Sequence, residues 1–515
     1  MQAYLNYDLN LNEDHHFKIM GGWQFEEYRQ DEMSASATSM ITNDFFSFNY
    51  ADLLTKTNGD DIQTWAMGSY FGRFNYDYKD KYLFEANLRY DGSSRLSPES
   101  RWSAFPSFSA GWNLAKEAFI KNALPFVSTL KLRASWGRLG NGSVLGLYDY
   151  IPLLSVGTNL DFNDQKTQYL YQNELASSTK TWEIVQTSNI GLDLGLLSNR
   201  LNITADYYIK KNKNMLTQLP LPAIIGIDVP AINVGELKTW GWEFNAQWKD
   251  NFRNGSYQIG FNISNDQNKL IKYSGQNSIG TGGTIDLLQG YALNTIWGYK
   301  TDGYYQNADD YANYGVQSFN NANVGPGDVK YLDLDGNKKI DAGGGTPEDP
   351  GDLVYLGTAN GHYLYGLNLG VNWKGFDFSA FFQGVGQRKF LIDASTMNPL
   401  NATSNMPWSI MMDRWTPDNR NAYFPREYQG SNFNFEPSDK WLQNGAYIRL
   451  KNVQLGYSVP LKKSIIQRLR VYVSGQDLWE HTKVLSVFDP EVPNGVQAAA
   501  YPFYRVVAFG LNMTF

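Results

Sequence analysis

Apolar and polar residues alternate along many segments of about ten residues in this sequence. The clearest segment, residues 130–137, reads LKLRASWG, so its even-numbered positions are apolar and its odd-numbered positions are polar or glycine. A period of two residues belongs to a β-strand with one apolar and one polar face, because a helix would distribute these residues around its circumference. The alternation predicts an all-β fold, and about ten residues is the length that a tilted strand needs to cross a membrane.

Other alternating segments come in adjacent pairs. Residues 189–196 and 201–210 alternate on either side of a short turn at 198–200, and residues 365–373 and 376–382 alternate on either side of Lys374 and Gly375. Each pair predicts an antiparallel hairpin. Soluble β-sandwiches and propellers also have alternating strands, so periodicity alone leaves those folds open.

The lengths of the connections distinguish a membrane barrel from the soluble alternatives. We predict fifteen strands, at residues 2–10, 15–28, 62–78, 82–92, 101–114, 128–138, 182–197, 200–216, 234–249, 256–273, 362–374, 376–390, 447–459, 469–480 and 504–515. Short turns follow Asn10, Tyr78, Leu197, Lys249 and Lys374, whereas the connections at 29–61, 139–181, 274–361, 391–446 and 481–503 are long. Short periplasmic turns and long external loops are typical of a bacterial outer-membrane barrel, and we assign Tyr299–Tyr305 to an external loop.

Composition agrees with such a barrel. Aromatic residues make up 15% of the chain, with 34 Tyr and 15 Trp, and membrane barrels concentrate these residues at the two interfaces of the bilayer. No apolar run approaches the roughly 18–20 residues of a membrane helix. The mean hydropathy of −0.43 also fits, because only every second residue of a barrel strand faces lipid.

Charge and residue usage narrow the function classes. The net charge of −7 comes from scattered acidic residues, which disfavours nucleic-acid binding. The chain has no Cys and four His, which excludes thiol chemistry and leaves little for a multi-histidine metal centre. We find no Gly-x-Ser-x-Gly motif, phosphate loop or pair of metal-ligand histidines, so we predict that the chain is not an enzyme and has no catalytic residues.

The number of strands implies that other strands belong to the same barrel. Counting back from a periplasmic end at Phe515 through fifteen strands places residue 1 on the extracellular rim, whereas a complete bacterial barrel has an even number of strands. The segment after Met1 also lacks the basic start and apolar stretch of a secretory signal. We therefore expect preceding strands that this chain does not contain.

Seven segments bear a family resemblance when taken in order. They read LRYDGSSR at 88–95, FPSFSAGWNLAKEAF at 105–119, LKLRASWGRLGN at 130–141, YLDLDGNKKID at 331–341, GLNLGVNWKGFDFSAFFQG at 366–384, YIRLKNVQLGYSVP at 447–460 and VYVSGQDLW at 471–479. Together they resemble the second half of the barrel in the SusC/RagA family of TonB-dependent outer-membrane transporters of Bacteroidota. The strand that ends at Phe515 is similar to the C-terminal signal by which barrel proteins are recognised for membrane insertion.

The resemblance implies a plugged barrel of about 22 strands, of which residues 1–515 form the last part. It implies a plug domain and a TonB box that we do not find in this sequence, and an indirect link to the TonB–ExbB–ExbD complex. It further implies an external SusD-like lipoprotein as partner, no required cofactor, and a multi-pass location in the lipid of the bacterial outer membrane.

The segment 333–341 contains oxygen ligands at the spacing of a calcium loop. Asp333, Asp335, Asn337 and Asp341 occupy positions 1, 3, 5 and 9, and the Lys339 carbonyl falls at position 7. The match is partial because position 6, which normally requires glycine, is Lys338, and no carboxylate stands at position 12. The sequence predicts either a structural calcium ion at these five residues or a solvated turn in an external loop.

Aromatic residues in the long loops are the candidates for substrate contacts. We single out Tyr148, Tyr304, Tyr305, Trp408 and Trp415, although packing in an aromatic girdle or in the core of a loop is the favoured role for each single ring. Charged residues on the polar strand faces, including Lys131, Arg133, Asp193, Asp206 and Lys210, are predicted to line a wet lumen and contact the plug.

Two functions remain open at this point. The first is active import of an oligosaccharide or oligopeptide, captured beneath the lipoprotein and admitted when TonB displaces the plug. The second is a non-transporting surface scaffold or adhesin. A third, a soluble carbohydrate-active β-protein, predicts solubility without detergent.

Overall fold

The structure is a computed structural model, and it describes residues 1–42, 44, 47–162, 165–172, 174–220, 222, 224, 226–227, 229–280, 287–318, 324–392, 398, 400, 408–429, 433–461, 465–492 and 503–515. Fifteen strands form its largest sheet: β1 Gln2–Leu11, β2 His15–Ser36, β3 Thr57–Tyr78, β4 Tyr82–Ser93, β5 Trp102–Asn113, β6 Val127–Asn141, β7 Glu183–Leu196, β8 Leu201–Thr217, β9 Ile232–Phe252, β10 Gly255–Lys272, β11 His362–Trp373, β12 Phe376–Gln387, β13 Tyr447–Val459, β14 Arg468–Thr482 and β15 Val506–Thr514. Each predicted strand overlaps one of these, which confirms the all-β prediction.

The order of strands in the sheet follows the order of the chain, so neighbours in sequence are neighbours in space. Consecutive connections therefore lie at opposite ends of the antiparallel strands. The connections at 12–14, 79–81, 197–200, 253–254 and 374–375 are short, and those between β10 and β11 and between β12 and β13 are the longest. This alternation agrees with the predicted barrel topology.

The tight turns have the backbone geometry that antiparallel hairpins require. Between β11 and β12, Lys374 and Gly375 have φ values of 48° and 89°. Two consecutive positive φ values match the right-handed twist of the flanking strands, and glycine adopts the second without strain. The register of the hairpin, Trp373 opposite Phe376, is fixed by this two-residue turn.

The chain divides into two compact units. The first contains Met1–Trp112, Ala134–Ser188 and Lys211–Gly235, and the second contains Asn113–Arg133, Asn189–Lys210 and Glu236–Phe515. In the described residues, no helix is long and apolar enough to span a membrane.

Strands of the first unit have an apolar face bounded by two rows of aromatic rings. On β4, Tyr82 stacks on Trp112 at a centroid distance of 6.2 Å, and Tyr90 stacks on Trp102 at 5.1 Å. Eight residues separate the two tyrosines, which corresponds to about 26 Å along a strand. Leu88, between them on the same face, is 52% exposed. An exposed apolar band about 25 Å tall between aromatic girdles is the lipid-facing surface of a membrane barrel.

The opposite face of these strands is polar and internally hydrogen-bonded. The Asn87 amide donates to Glu85 at 2.8 Å and accepts from Arg73 at 2.9 Å. The side chains form a network on the face that turns away from the aromatic rows, because successive residues of a strand point to opposite sides. One face therefore suits hydrocarbon and the other suits water.

The second unit repeats the polar face with an ion-pair cluster. Arg133 donates to Asp193 at 2.8 and 3.1 Å and to Asp206 at 3.0 Å. Gly191 on β7 leaves room for this cluster, because a Cβ at this position would lie 2.5 Å from an Asp206 carboxylate oxygen. Three of the predicted lumen-lining residues thus bond to one another.

Folded elements inside the long connections were not predicted from the sequence. The connection 273–361 contains short strands at Thr295–Tyr299, Thr301–Tyr304, Gln317–Ser318, Val329–Tyr331, Lys339–Ile340 and Leu353–Thr358 and a helix at Ala308–Tyr314. None of these strands joins the fifteen-stranded sheet, so Tyr299–Tyr305 belongs to the connection between β10 and β11, and its position outside the cell stays a prediction. The connection predicted at 29–61 is shorter in the structure, because β2 and β3 extend into it as a long hairpin.

Candidate functional site

The largest apolar core of the second unit lies in its long connections rather than in its sheet. We call the described residues of 274–361 and 391–446 the loop body. Both segments supply its first cluster of buried residues: Ile279, Leu288, Trp297, Tyr299, Tyr304, Val316, Val329, Tyr331, Ile340, Leu353, Trp415, Ala422 and Phe433. A sheet with lipid on one side and water on the other has no such core of its own, so the loops build one and thereby hold a defined surface.

An ion pair with a buried carboxylate joins the two segments of the loop body. The Asp328 carboxylate is 0% exposed and accepts two hydrogen bonds from Arg426, at 2.9 and 2.8 Å. The Tyr428 hydroxyl and the Asn434 amide donate to the same carboxylate at 2.6 and 3.0 Å. A buried charge is tolerated only when its lone pairs are satisfied, and this one is. Residues about one hundred positions apart in sequence are therefore held in one arrangement.

Three of the five aromatic candidates are buried in the loop body, and two of them, Tyr304 and Trp415, belong to this core. Tyr304 is 8% exposed, Tyr305 0% and Trp415 8%. The ring of Trp415 packs against Gly327, whose φ of 90° and missing side chain make room for it, since a Cβ there would lie 2.4 Å from the ring. Trp408 is half-buried and packs on Phe488 with a centroid distance of 5.6 Å. Packing accounts for these rings, and their role as substrate contacts stays a prediction.

A lysine occupies the face of one of these rings. The Lys440 amino group lies 4.6 Å from the centroid of Tyr304 and 5.2 Å from those of Tyr423 and Trp441. It donates to the Tyr423 carbonyl at 2.8 Å. Burial lowers the pKa of Lys440 to about 8, so the amine is largely protonated at neutral pH and the surrounding rings stabilise its charge.

The fifth candidate, Tyr148, belongs to the first unit and also has a structural partner. Its hydroxyl lies 2.7 Å from the Thr64 hydroxyl and accepts from the Thr64 backbone N–H at 3.2 Å. The ring borders a cavity of about 160 Å³ in the connection after β6, together with Leu147, Ile151, Leu153 and Leu175. Tyr148 therefore links this connection to β3.

The acidic loop of the second unit brings two of the five predicted calcium ligands together and adds a third residue. Carboxylate oxygens of Asp333, Asp335 and Asp352 lie within 4.8 Å of one another. Asp341 is outside this group, and its carboxylate accepts from the Gly343 backbone N–H at 2.8 Å. The Asn337 amide oxygen accepts from the Lys339 backbone N–H at 2.7 Å.

The backbone of this loop forms a tight turn although the sequence has lysine, not glycine, at position 6. Asp333 accepts from the N–H groups of Gly336 and Lys338, at 2.7 and 3.0 Å, which wraps the chain around its carboxylate. Lys338 has a φ of 65°, the left-handed conformation for which glycine is favoured at this position. The loop accepts lysine there at some conformational cost.

Asp352 is the residue that sequence reasoning missed. It is 0% exposed and accepts from the N–H groups of Leu334 and Asp341, at 2.6 and 3.0 Å. Burial raises the pKa of the Asp352 carboxyl, and the charge of Asp335 acts in the same direction. Its position, seventeen residues after Asp335, follows from the fold of the loop body and not from any local spacing.

Comparison with known proteins places the whole chain in one family. Residues 1–343 match the family model described as TonB dependent receptor-like, beta-barrel. TonB-dependent receptor P3 of Formosa agariphila is 29% identical over 540 residues, covering 100% of this chain and 52% of the relative. TonB-dependent receptor SusC of Bacteroides thetaiotaomicron is 28% identical over 479 residues, covering 87% and 43%. The chain spans about half the length of the curated relatives it matches.

A solved structure shares the fold. The RagAB peptide transporter aligns with a TM-score of 0.82 at 21% identity, covering 99% of this chain and 55% of that one. The model match extends over more than half of the 515 residues and agrees with the girdled sheet and its long loops. The chain belongs to the TonB-dependent receptor-like β-barrel family and is an outer-membrane protein.

Proposed function

We propose that this chain is the C-terminal barrel portion of an active importer that takes up an oligosaccharide or an oligopeptide with a SusD-like surface lipoprotein. The two-faced sheet is the observation on which the proposal chiefly rests. Its exposed apolar band between aromatic rows suits lipid, and its hydrogen-bonded polar face suits a wet passage for a polar cargo. The similarity to the receptor SusC and to the RagAB peptide transporter supports import over anchoring.

Energy dependence separates an importer from a surface scaffold. The experiment uses cells that express the full receptor, fluorescently labelled oligopeptides and maltooligosaccharides as probes, and a matched strain lacking TonB. We expect one probe class to accumulate inside cells only when TonB is present. Equal cell-associated signal in both strains, with the receptor present at the surface, would favour the scaffold.

We further propose that a calcium ion is bound at Asp333, Asp335 and Asp352 and pins the acidic loop. The fit is chemical: three carboxylates within 4.8 Å repel one another, and Ca²⁺ prefers carboxylate oxygens. Backbone N–H groups already bond these carboxylates, which fixes their orientation and leaves further lone pairs on each oxygen. A bound ion would offset the repulsion at the buried member, Asp352.

Calcium is expected to slow amide exchange and proteolysis of residues 333–341 in the intact receptor, and a chelator should reverse both effects. An Asp335→Asn, Asp352→Asn double variant should lose the response. Asp349→Asn is the matched control, because Asp349 lies in the same loop but outside the three-carboxylate group. Since the pKa of Asp352 is raised, protons should compete with calcium as the pH falls. Identical exchange with calcium and with chelator at neutral pH would refute the site.

A further inference from the structure

The hairpin of β2 and β3 extends far beyond the two strands that flank it in the sheet. The two strands pair over 22 residues each, from His15 opposite Tyr78 to Ser36 opposite Thr57. β1 pairs with β2 only as far as Gln24, and β4 pairs with β3 only from Met67 onward. We call residues 27–66 the arm. Its ten residue pairs extend about 33 Å from the sheet on the side of the long loops.

The arm is a two-stranded ribbon with little support of its own. Between Ala66 and the tip, neither strand of the arm pairs with a third strand among the described residues. Its main anchors are at the base, where Tyr148 bonds Thr64 and the ring of Trp65 stacks on Tyr28 at 5.6 Å. Isolated two-stranded hairpins are marginally stable in water, so a ribbon of this length gains from being covered.

The tip of the arm, by which we mean the described residues of 37–56, is closed by backbone hydrogen bonds and presents apolar side chains to solvent. Backbone hydrogen bonds of 3.0 Å from Ile41 to Tyr50 and 3.2 Å from Asp52 to Ser39 close it. Even so, Ile41 is 82% exposed, Leu53 79% and Leu54 94%, and Met33 just below is 86% exposed. Several large aliphatic side chains that lie exposed close together are typical of an interaction surface.

The charge of the arm limits what can cover it. Seven acidic and two basic side chains give residues 27–66 a net charge of −5. Glu32 stands directly opposite Asp61, both are exposed, and neither forms an ion pair with a basic side chain in the part of the chain that the structure describes. Like charges opposite one another on a ribbon destabilise it, so a cationic surface that docks there relieves the repulsion. The same charge disfavours an anionic lipid surface and a second copy of this acidic chain.

We infer that the arm docks on the surface lipoprotein partner, at a face where basic side chains surround an apolar recess. Lysine and arginine side chains of the partner neutralise the carboxylates around Glu32 and Asp61, and its recess buries Ile41, Leu53 and Leu54. The inference rests on the proposed function for the existence of that partner, and it adds the segment of the receptor that holds it. The arm belongs to the first unit and contributes none of its described residues to the core of the loop body.

The test measures binding of the purified, unlipidated lipoprotein to the full receptor in detergent. A Leu53→Ser, Leu54→Ser variant is expected to bind about a hundredfold more weakly, because two buried leucines are lost from the interface. Ile465→Ser, Leu461→Ser is the matched control, since these exposed residues lie in the turn between β13 and β14 at the opposite end of the strands. Unchanged heat-modifiable mobility in gels verifies that each variant still forms its barrel.

A charge variant tests the inference without touching the apolar tip. Wild-type binding should weaken as salt is raised, and Glu32→Lys, Asp61→Lys should bind weakly with little salt dependence. Equal affinity of wild type and both arm variants would overturn the docking inference and leave the importer intact. If wild-type receptor fails to bind the lipoprotein, the inference falls, and loss of TonB-dependent uptake in the same strain would show that the proposed function falls with it. Binding of the tip to lipopolysaccharide vesicles instead of the lipoprotein would also overturn it.

Discussion

Replacing Arg426 by methionine is expected to open the loop body. The variant removes both hydrogen bonds from Arg426 to Asp328 and leaves a carboxylate that is 0% exposed without its counter-charge. Breaking a buried pair by removing one partner costs about 3–5 kcal/mol. Amide exchange at Val329–Tyr331, which packs in the same core, should accelerate by more than a hundredfold if it opens through this step.

The control for this prediction is Arg414→Met. Arg414 forms a single 2.8 Å ion pair with Glu427 in the same loop, and the Glu427 side chain is 16% exposed, whereas that of Asp328 is 0% exposed. Solvent screens such a pair, so we expect a change of about 0–1 kcal/mol. Similar exchange rates in the two variants would mean that the Asp328 cluster does not hold the two segments together.

Arg449→Met is expected to release the segment between β14 and β15. Arg449 is 2% exposed and donates to Asp489 at 2.6 Å and to Glu491 at 2.8 Å, besides its bond to Glu480 on the neighbouring strand. Without the guanidinium, three carboxylates face one another, although Lys451 still donates to Glu491 at 3.0 Å and Arg388 still donates to the Pro490 carbonyl at 2.7 Å. The loss should be about 3–5 kcal/mol, seen as faster amide exchange and new protease cleavage within 483–492.

An exposed pair on the short-turn side provides the comparison. Arg200 bonds Asp250 at 3.3 Å with its side chain 55% exposed, so Arg200→Met should change exchange in its turn only slightly. Protection of 483–492 that survives in Arg449→Met would show that other contacts hold this segment, namely the packing of Phe488 on Phe390 and the hydrogen bonds from Arg388 to the Pro490 and Val492 carbonyls.

The two largest predictions both concern contacts that no local pattern reveals. Asp328 and Arg426 are 98 residues apart, and Arg449 and Asp489 are 40 apart. Only the fold brings the charges together, because loop closure over such distances is decided by the whole set of contacts and not by neighbours in the chain.

The sequence by itself determined the strands and the alternation of short and long connections. A strand that separates lipid from water must alternate residue by residue, so each strand records its two environments locally, as residues 130–137 do. The tight turns are local as well, since Lys374 and Gly375 need only their own φ values. These features could be predicted because the physical constraint acts within about ten residues.

Tertiary structure alone decided how the long connections fold and what their residues do. Tyrosine and tryptophan rings at a protein surface can bind ligands. Only burial in the loop body distinguishes Tyr304, Tyr305 and Trp415 from such rings. Asp352 joins Asp333 and Asp335 only after the segment between them folds back. The length of the arm was likewise hidden, because a ribbon exposed to water on both faces has no apolar alternation to mark its strands.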